Sequence, residues 1–156
     1  MEIKVHAIGK ATKGPWEVLN KHYLERYNLV ARQMGWRPLV LNLKQIRPAR
    51  ADKEREWLNA QVPEADYMVA LDERGDVLTS QQFATFLTQQ HAQGYVRMHF
   101  VMGGAEGLGD SLRKRAHKML CFGSLTWPHE LARVMLLEQL YRSLTIHAGH
   151  PYHKEG

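Results

Sequence analysis

Met98-His99-Phe100-Val101-Met102-Gly103-Gly104-Ala105-Glu106-Gly107-Leu108 decides how this chain is read, because a short apolar strand runs straight into a glycine-rich loop. Glycine lets backbone approach a ligand closely. One helix later Met119-Leu120-Cys121-Phe122 repeats the plan and opens into Gly123-Ser124-Leu125-Thr126-Trp127-Pro128-His129, just before the longest apolar run of the protein. Two loops thus leave the same edge of one sheet, and open α/β sheets bind ligands outside the carboxyl ends of their strands. The first loop is not a dinucleotide fingerprint, since Ala105 and Leu108 stand where glycine is required, nor is it a P-loop. Glu106 would repel a pyrophosphate, which points to a ligand neutral or cationic near this loop. Taken bare, the glycines are equally compatible with a structural turn.

Working outward, Ile3 to Ile8 alternates with period two and reads as a strand ended by Gly9. Pro15 suits a first helical position, and Trp16, Leu19, Tyr23, Tyr27, Val30 and Met34 keep helical spacing until Gly35. That spacing marks the aromatics as core rather than as a stripe for stacking RNA bases. Arg37 to Leu43 predicts a second strand, and Asp52 to Gln61 an exposed helix closed by Pro63. Tyr67 to Leu71 is a continuous apolar run of the kind covered on both faces, ending at Asp72. Ser80 can cap a helix that carries Phe83, Phe86 and Leu87 and stops at Gly94, and Asp110 or Ser111 can cap the basic helix between the two loops. Strands alternating with helices predict an α/β fold, a mostly parallel sheet of about five strands with helices on both faces, formed by residues 1–156 as a single domain.

At 156 residues and 44% hydrophobic, the chain has enough apolar material for one core. No run is long enough for a membrane span and the N-terminus lacks a signal-peptide plan, so a cytoplasmic location is expected. The net charge of +5 is modest support for a polyanionic partner. Clustering says more: Lys10 and Lys13 flank one loop, Lys44, Arg47 and Arg50 another, and Arg113, Lys114, Arg115 and Lys118 crowd one helix, although a solvated face explains such clusters as well. The lone Cys121 reads as a small buried hydrophobe.

Leu131 to Ile146 carries apolar residues in nearly every direction around a helix. Such a helix must be covered on both sides, which suggests that a second subunit supplies one cover. If Leu137 and Leu140 point outward, glutamate at either is expected to break a homodimer. His147, His150 and His153 invite a metal reading, but Gly149 and Pro151 interrupt the helix and no acid or thiol completes a set, so no metal is expected. A serine hydrolase is excluded by the lack of a G-x-S-x-G elbow. His129 could orient its loop or face a ligand. The closing His150-Pro151-Tyr152-His153-Lys154 contains proline and tyrosine, poor material for a frayed end.

Gly103 to Leu108, Leu125 to His129, Arg133-Val134 with Glu138-Gln139-Leu140-Tyr141-Arg142, and His150 to Lys154 together resemble the RlmH family, over essentially the whole chain and in the family's order. Two departures stand out: Trp127 replaces a smaller apolar residue, and Arg74-Gly75 brings a charge after Leu71-Asp72. The resemblance implies a SPOUT-class, homodimeric methyltransferase with a C-terminal trefoil knot. It implies S-adenosylmethionine as methyl donor, held by Leu71, Gly103, Gly104, Gly123, Ser124, Leu125, Thr126, Trp127 and Pro128. It implies N3 of a pseudouridine in 23S rRNA as acceptor, on assembled ribosomes. The acceptor nitrogen must lose a proton, so Arg142, Tyr152, His153 and Lys154 are the candidate catalytic residues, with Arg142, His153 or Lys154 as a cation near the anion, or neutral His153 as base. A transfer-RNA methyltransferase and a non-catalytic RNA- or ribosome-binding module remain alternatives.

Overall fold

Alternating and continuous apolar runs become five parallel strands in a computed structural model that describes residues 1–10 and 13–153. They are β1 (Glu2–Ile8), β2 (Val40–Lys44), β3 (Tyr67–Val77), β4 (Arg97–Met102) and β5 (Lys118–Cys121), in the order β2-β1-β4-β3-β5. The helices α1 (Pro15–Met34), α2 (Ala51–Gln61), α3 (Ser80–Ala92), α4 (Gly109–Arg115) and α5 (His129–Ala148) connect or follow them. Both faces of the sheet are covered, as the sequence predicts. On one face Tyr27 and Val30 of α1, Phe83 and Leu87 of α3, and Leu136, Leu140 and Leu144 of α5 pack on Val5, Val69 and Phe100. Against the other face, Leu58 of α2 and Leu112 of α4 pack on Met68, Ala70 and Val101.

Helix ends follow local chemistry. Gly35 takes the left-handed conformation after α1, and the Trp36 N–H donates to the Ala31 carbonyl at 2.8 Å. The cap of α3 is Thr79 rather than Ser80: its hydroxyl accepts from the Gln82 N–H while the Gln82 side chain accepts from the Thr79 N–H. Ser80 Oγ instead donates to Gln139 Oε1 at 2.8 Å and ties α3 to α5. Neither Asp110 nor Ser111 caps α4, which starts at Gly109 without a side-chain cap; Asp110 pairs with Arg113. The second strand starts three residues later than its apolar pattern, because Pro38 has no N–H to give and the N–H groups of Arg37 and Leu39 are bonded to Met1 O and Asn28 Oδ1.

Two larger departures matter for function. First, β3 does not end at Leu71. After pairing Leu71 with Leu120 it breaks register, and Asp76 and Val77 return to pair with Leu120 and Cys121. Second, Leu136, Leu137, Leu140 and Leu144 of α5 are fully buried within this chain. Its own α1 and α3 flank α5 and the sheet lies beneath, so this chain itself covers Leu136, Leu137, Leu140 and Leu144, while Leu131, Ala132, Met135 and Ile146 stay half-buried. Leu137 and Leu140 therefore do not point outward.

Candidate active site

Register places the strand ends together. Leu71 pairs with Met102 on one side and Leu120 on the other, so Gly103, Asp72 and Cys121 each begin one residue beyond the same level of the sheet. Adjacent strands lie about 4.8 Å apart, which gathers Leu71, Gly103 and the loop from Gly123 along an edge about 10 Å wide. Of the residues expected to hold a donor, these three groups are thereby brought together.

The first loop is a tight turn held by its own chain. Gly107 N–H donates to the Gly104 carbonyl at 3.0 Å, and Arg55 of α2 donates to the carbonyls of Glu106 (2.7 Å) and Gly107 (3.3 Å). A Cβ at Gly103 would stand 2.7 Å from the Gly107 carbonyl carbon. Glycine at 103 is thus required by closure of the turn itself. The second loop is different: Gly123 has φ 106° and nothing within 4 Å of where its Cβ would lie. Cys121, half-buried rather than buried, donates its thiol to the Gly123 carbonyl, and Trp127 Nε1 donates to the Phe122 carbonyl at 3.3 Å. Ser124 through Pro128 are exposed, with Leu125 70% accessible, so this loop offers apolar side chains that its own chain does not cover. His129 is also exposed, at the first position of α5.

A cavity of about 400 Å³ opens beside this edge, between Val77 at the end of β3 and Leu78 beyond it, Phe122 after β5, and Met135 and Glu138 of α5. Its volume lies in the roughly 300–1,000 Å³ range of small-molecule sites. It abuts the second loop at Phe122, while the expected donor residues themselves lie outside its walls.

Two of the candidate catalytic residues, Arg142 and Tyr152, meet at the C-terminal part of α5. Glu138 Oε1 accepts from Arg142 Nε (2.9 Å), from Arg142 Nη2 (2.7 Å) and from the Tyr152 hydroxyl (2.9 Å). The Arg142 guanidinium also lies 5.1 Å from the Tyr152 ring centre. Gly149, in the left-handed conformation, ends α5 and turns Pro151-Tyr152 back onto it, where Tyr152 packs 4.5 Å from Tyr141. The tail is docked, on its own helix. Burial, and then the Glu138 hydrogen bond, push the Tyr152 phenol well above its ordinary value, so it is a donor at neutral pH. Glu138 holds Arg142 firmly charged. His153 is half-buried and its Nδ1 has no partner among the described residues, whereas Lys154 lies outside them. His150 Nδ1 accepts from the Tyr152 N–H at 3.1 Å. Glu138 escaped the sequence reading as a partner, although its spacing four residues before Arg142 is the ordinary helical ion-pair signal.

The basic clusters separate into two kinds. In the helix cluster Arg113 pairs with Asp110 and Asp72, Arg115 bonds to Asn59 and to the Val62 carbonyl, and Lys118 pairs with Asp76. That cluster is largely structural. Lys10, Lys13, Lys44 and Arg47 are exposed, and Gly9 N–H donates to Lys44 O, so these loops lie side by side at the carboxyl edge of β1 and β2.

A buried chain that sequence reasoning missed crosses the sheet. Asn42 Nδ2 lies 3.1 Å from His6 Nδ1, His6 Nε2 2.9 Å from His99 Nδ1, and His99 Nε2 2.8 Å from Asp66 Oδ2, which also accepts from Arg97 at 2.8 Å. One set of neutral tautomers satisfies every link: each histidine donates through Nε2 and accepts at Nδ1. Burial, then the neighbouring His99 and Lys4, push His6 down to about 4; burial also lowers His99 against the pull of Asp66. The unfolded chain therefore binds more protons than the folded one between the ordinary histidine value near 6.5 and about 4, so stability is complete above that window and falls as pH drops through it. The melting temperature is expected to decline between pH 6.5 and 4, and His6→Asn should flatten that decline. An unchanged slope in the variant would assign the loss to other groups.

A family model described as a predicted SPOUT methyltransferase matches residues 1–153. Relatives called ribosomal RNA large subunit methyltransferase H include one from Bradyrhizobium diazoefficiens, 42% identical, and one from Rhodopseudomonas palustris strain BisA53, 43% identical, each matched over 99% of both chains. Among solved structures, a probable methylase family protein from Haemophilus influenzae Rd KW20 aligns with 98% of this chain and 70% of its own, at a TM-score of 0.54 and 11% identity, which shows a shared fold. With its five-stranded parallel sheet and its whole-length relatives, the chain belongs to the SPOUT methyltransferases, in the ribosomal RNA large subunit methyltransferase H family.

Proposed function

We propose that the protein transfers a methyl group from S-adenosylmethionine to N3 of a pseudouridine in 23S rRNA, on the assembled ribosome. The observation that carries this reading is the convergence of Leu71, Gly103 and the Gly123 loop at one sheet edge, in a chain that matches large-subunit rRNA methyltransferases from end to end. The residues at that edge suit the donor. Open space beside Gly123, backbone groups at Gly103 and Gly104, and apolar Leu71, Leu125 and Trp127 can enclose a planar adenine, with Ser124, Thr126 and Pro128 shaping the loop.

When bound, S-adenosylmethionine supplies an activated methyl group on a cationic sulfonium. The chain's own part is alignment, exclusion of water and control of one proton. Arg142, kept charged by Glu138, can stabilise the anion left when the acceptor imide loses its proton. Tyr152 fixes Arg142 from the ring side and donates to Glu138. Nδ1 of His153, without a partner among the described residues, is the atom best suited to accept the proton. Lys154 follows it in sequence.

The acceptor side is read as a folded RNA. Lys10, Lys13, Lys44 and Arg47 can grip phosphates but cannot read base sequence, so specificity rests on the shape of a large partner. A homodimer completes the reading, with the half-buried outer side of α5 and the uncovered Val77, Leu125 and Trp127 as the surface available to a second copy.

The experiment offers labelled methyl donor with ribosomes from a strain lacking this gene. Methylation of those ribosomes is expected to exceed that of the naked hairpin or of transfer RNA by at least about tenfold, given the loss of shape recognition and phosphate contacts. It should drop sharply when the target pseudouridine is left as uridine. Equal labelling of transfer RNA would leave the fold and the donor in place and refute the substrate.

A further inference from the structure

Arg133 is 3% exposed, yet it has no counter-ion among the described residues. From the second turn of α5 its guanidinium reaches over the sheet to the end of β1, where Nη2 lies 3.5 Å from the Ile8 carbonyl oxygen, at the outer limit of a hydrogen bond. Its Nε–H is buried without a partner among the described residues. Glu130, one turn earlier, acts on it only through space. Burying a cation without pairing it is among the costliest arrangements a fold can hold. The neighbouring backbone nevertheless makes room for it: a Cβ at Gly9, whose φ is 150°, would overlap Arg133 Nη2.

From the opposite face Glu54 of α2, also buried, reaches the same end of β1. A Cβ at Gly104 would stand 2.6 Å from Glu54 Oε1 and 3.2 Å from Ile8 Cγ2. A buried cation and a buried anion therefore flank the carboxyl end of β1 from two layers, next to the Gly103-Gly104 turn, without forming an ion pair with each other.

We infer that Arg133 receives the carboxylate of the methyl donor's amino-acid end, while Glu54 faces the ammonium of the same end. This rests on the reading of S-adenosylmethionine as donor. An RNA phosphate is the poorer occupant, because a guanidinium so deeply buried is out of reach of a polymer backbone and Glu54 would repel a second negative charge. A zwitterion is matched by both residues, and a planar guanidinium fork matches a carboxylate in bidentate fashion.

Calorimetry on the full chain tests this with S-adenosylmethionine, its decarboxylated analogue and 5′-methylthioadenosine, which lacks the whole amino-acid end. The wild type is expected to bind the decarboxylated analogue roughly 10- to 100-fold more weakly than the donor, the range set by a charge-assisted pair. Arg133→Gln should lose the same factor for the donor, no longer distinguish the two, and keep its affinity for 5′-methylthioadenosine, which certifies an intact pocket. If the variant fails to fold, the wild-type comparison decides alone. Equal wild-type affinity for donor and decarboxylated analogue overturns the inference while leaving the donor assignment standing. A wild type that binds none of the three overturns that assignment as well. If Arg133→Gln keeps donor affinity but loses ribosome retention, the cation serves a phosphate; if it keeps donor affinity but sediments as a different oligomer, it serves a partner copy's carboxylate, and either result also overturns the inference.

Discussion

Leu137→Glu is expected to leave an unfolded chain rather than a dissociated dimer. Leu137 is fully buried beside Leu136 and Leu140, between α5 and the sheet and helices that cover it. A carboxylate there enters an apolar cluster, and Arg133, one turn earlier on α5, is turned to the Ile8 carbonyl at the end of β1, so the acid must either remain charged among leucines or take up a proton. Either course, with the lost leucine packing, costs at least about 4 kcal/mol, a large share of the roughly 5–15 kcal/mol that keeps a domain folded. Met135→Glu supplies the contrast, since Met135 is only half-buried and lines the open cavity. The Met135 variant should keep its helical circular dichroism at 25 °C and the Leu137 variant should lose it. A folded, monomeric Leu137→Glu protein would contradict the packing of α5 described above.

Gly75→Val is also expected to disrupt folding. Where β3 changes register against β5, the Gly75 backbone lies directly on that strand: a Cβ would stand 2.6 Å from Leu120 N, 2.6 Å from Met119 C and 2.7 Å from Leu120 C. These are main-chain atoms in a paired strand, and no side-chain rotation moves them away. Alanine already forces the two segments apart, and a branched valine adds atoms on the same side. Destabilisation by valine should exceed about 3 kcal/mol, beyond ordinary overpacking, with alanine in between. Guanidinium unfolding monitored by circular dichroism measures both. A midpoint for Gly75→Ala equal to that of the wild type would show that the crossing relaxes freely.

These two positions also mark where the sequence stops being informative. Periodicity reveals β1, the span of α1 from Pro15 to Gly35 and the two strand-to-loop passages at Gly103 and Gly123, because each depends on residues near one another in the chain. The apolar pattern of α5 is equally legible, but it states only that cover is needed, not who provides it; for Leu136, Leu137, Leu140 and Leu144 two helices and the sheet of the same chain do so. The second half of β3 is polar and charged, so no apolar run announces it, and the need for glycine at 75 arises from a strand more than forty residues away. Likewise His6 and His99 become neighbours only through the pairing of β1 with β4. In the candidate site, Arg142 and Tyr152 were legible from the resemblance, while the Glu138 oxygen that joins them emerges only once the tail folds back. The turn at Gly103 shows the converse: a glycine read as room for a ligand is needed by the loop's own backbone.

The pairing of β1 with β4 has a consequence in time as well as in space. Glu2 lies opposite Arg97 and Ala7 opposite Met102, so the centre of the sheet joins segments separated by most of the chain. On a ribosome that delivers about 5–20 residues per second, β1 waits for several seconds before its inner neighbour exists, with only β2 to pair with meanwhile. The apolar face of that early pair lacks its final covering until α5, the last helix, has been synthesised. Parallel, non-local pairing of this kind has high contact order, which places its assembly on the slow side of single-domain folding and largely after chain release. The nascent protein is accordingly exposed to chaperones and to aggregation for longer than a helical bundle of equal length would be.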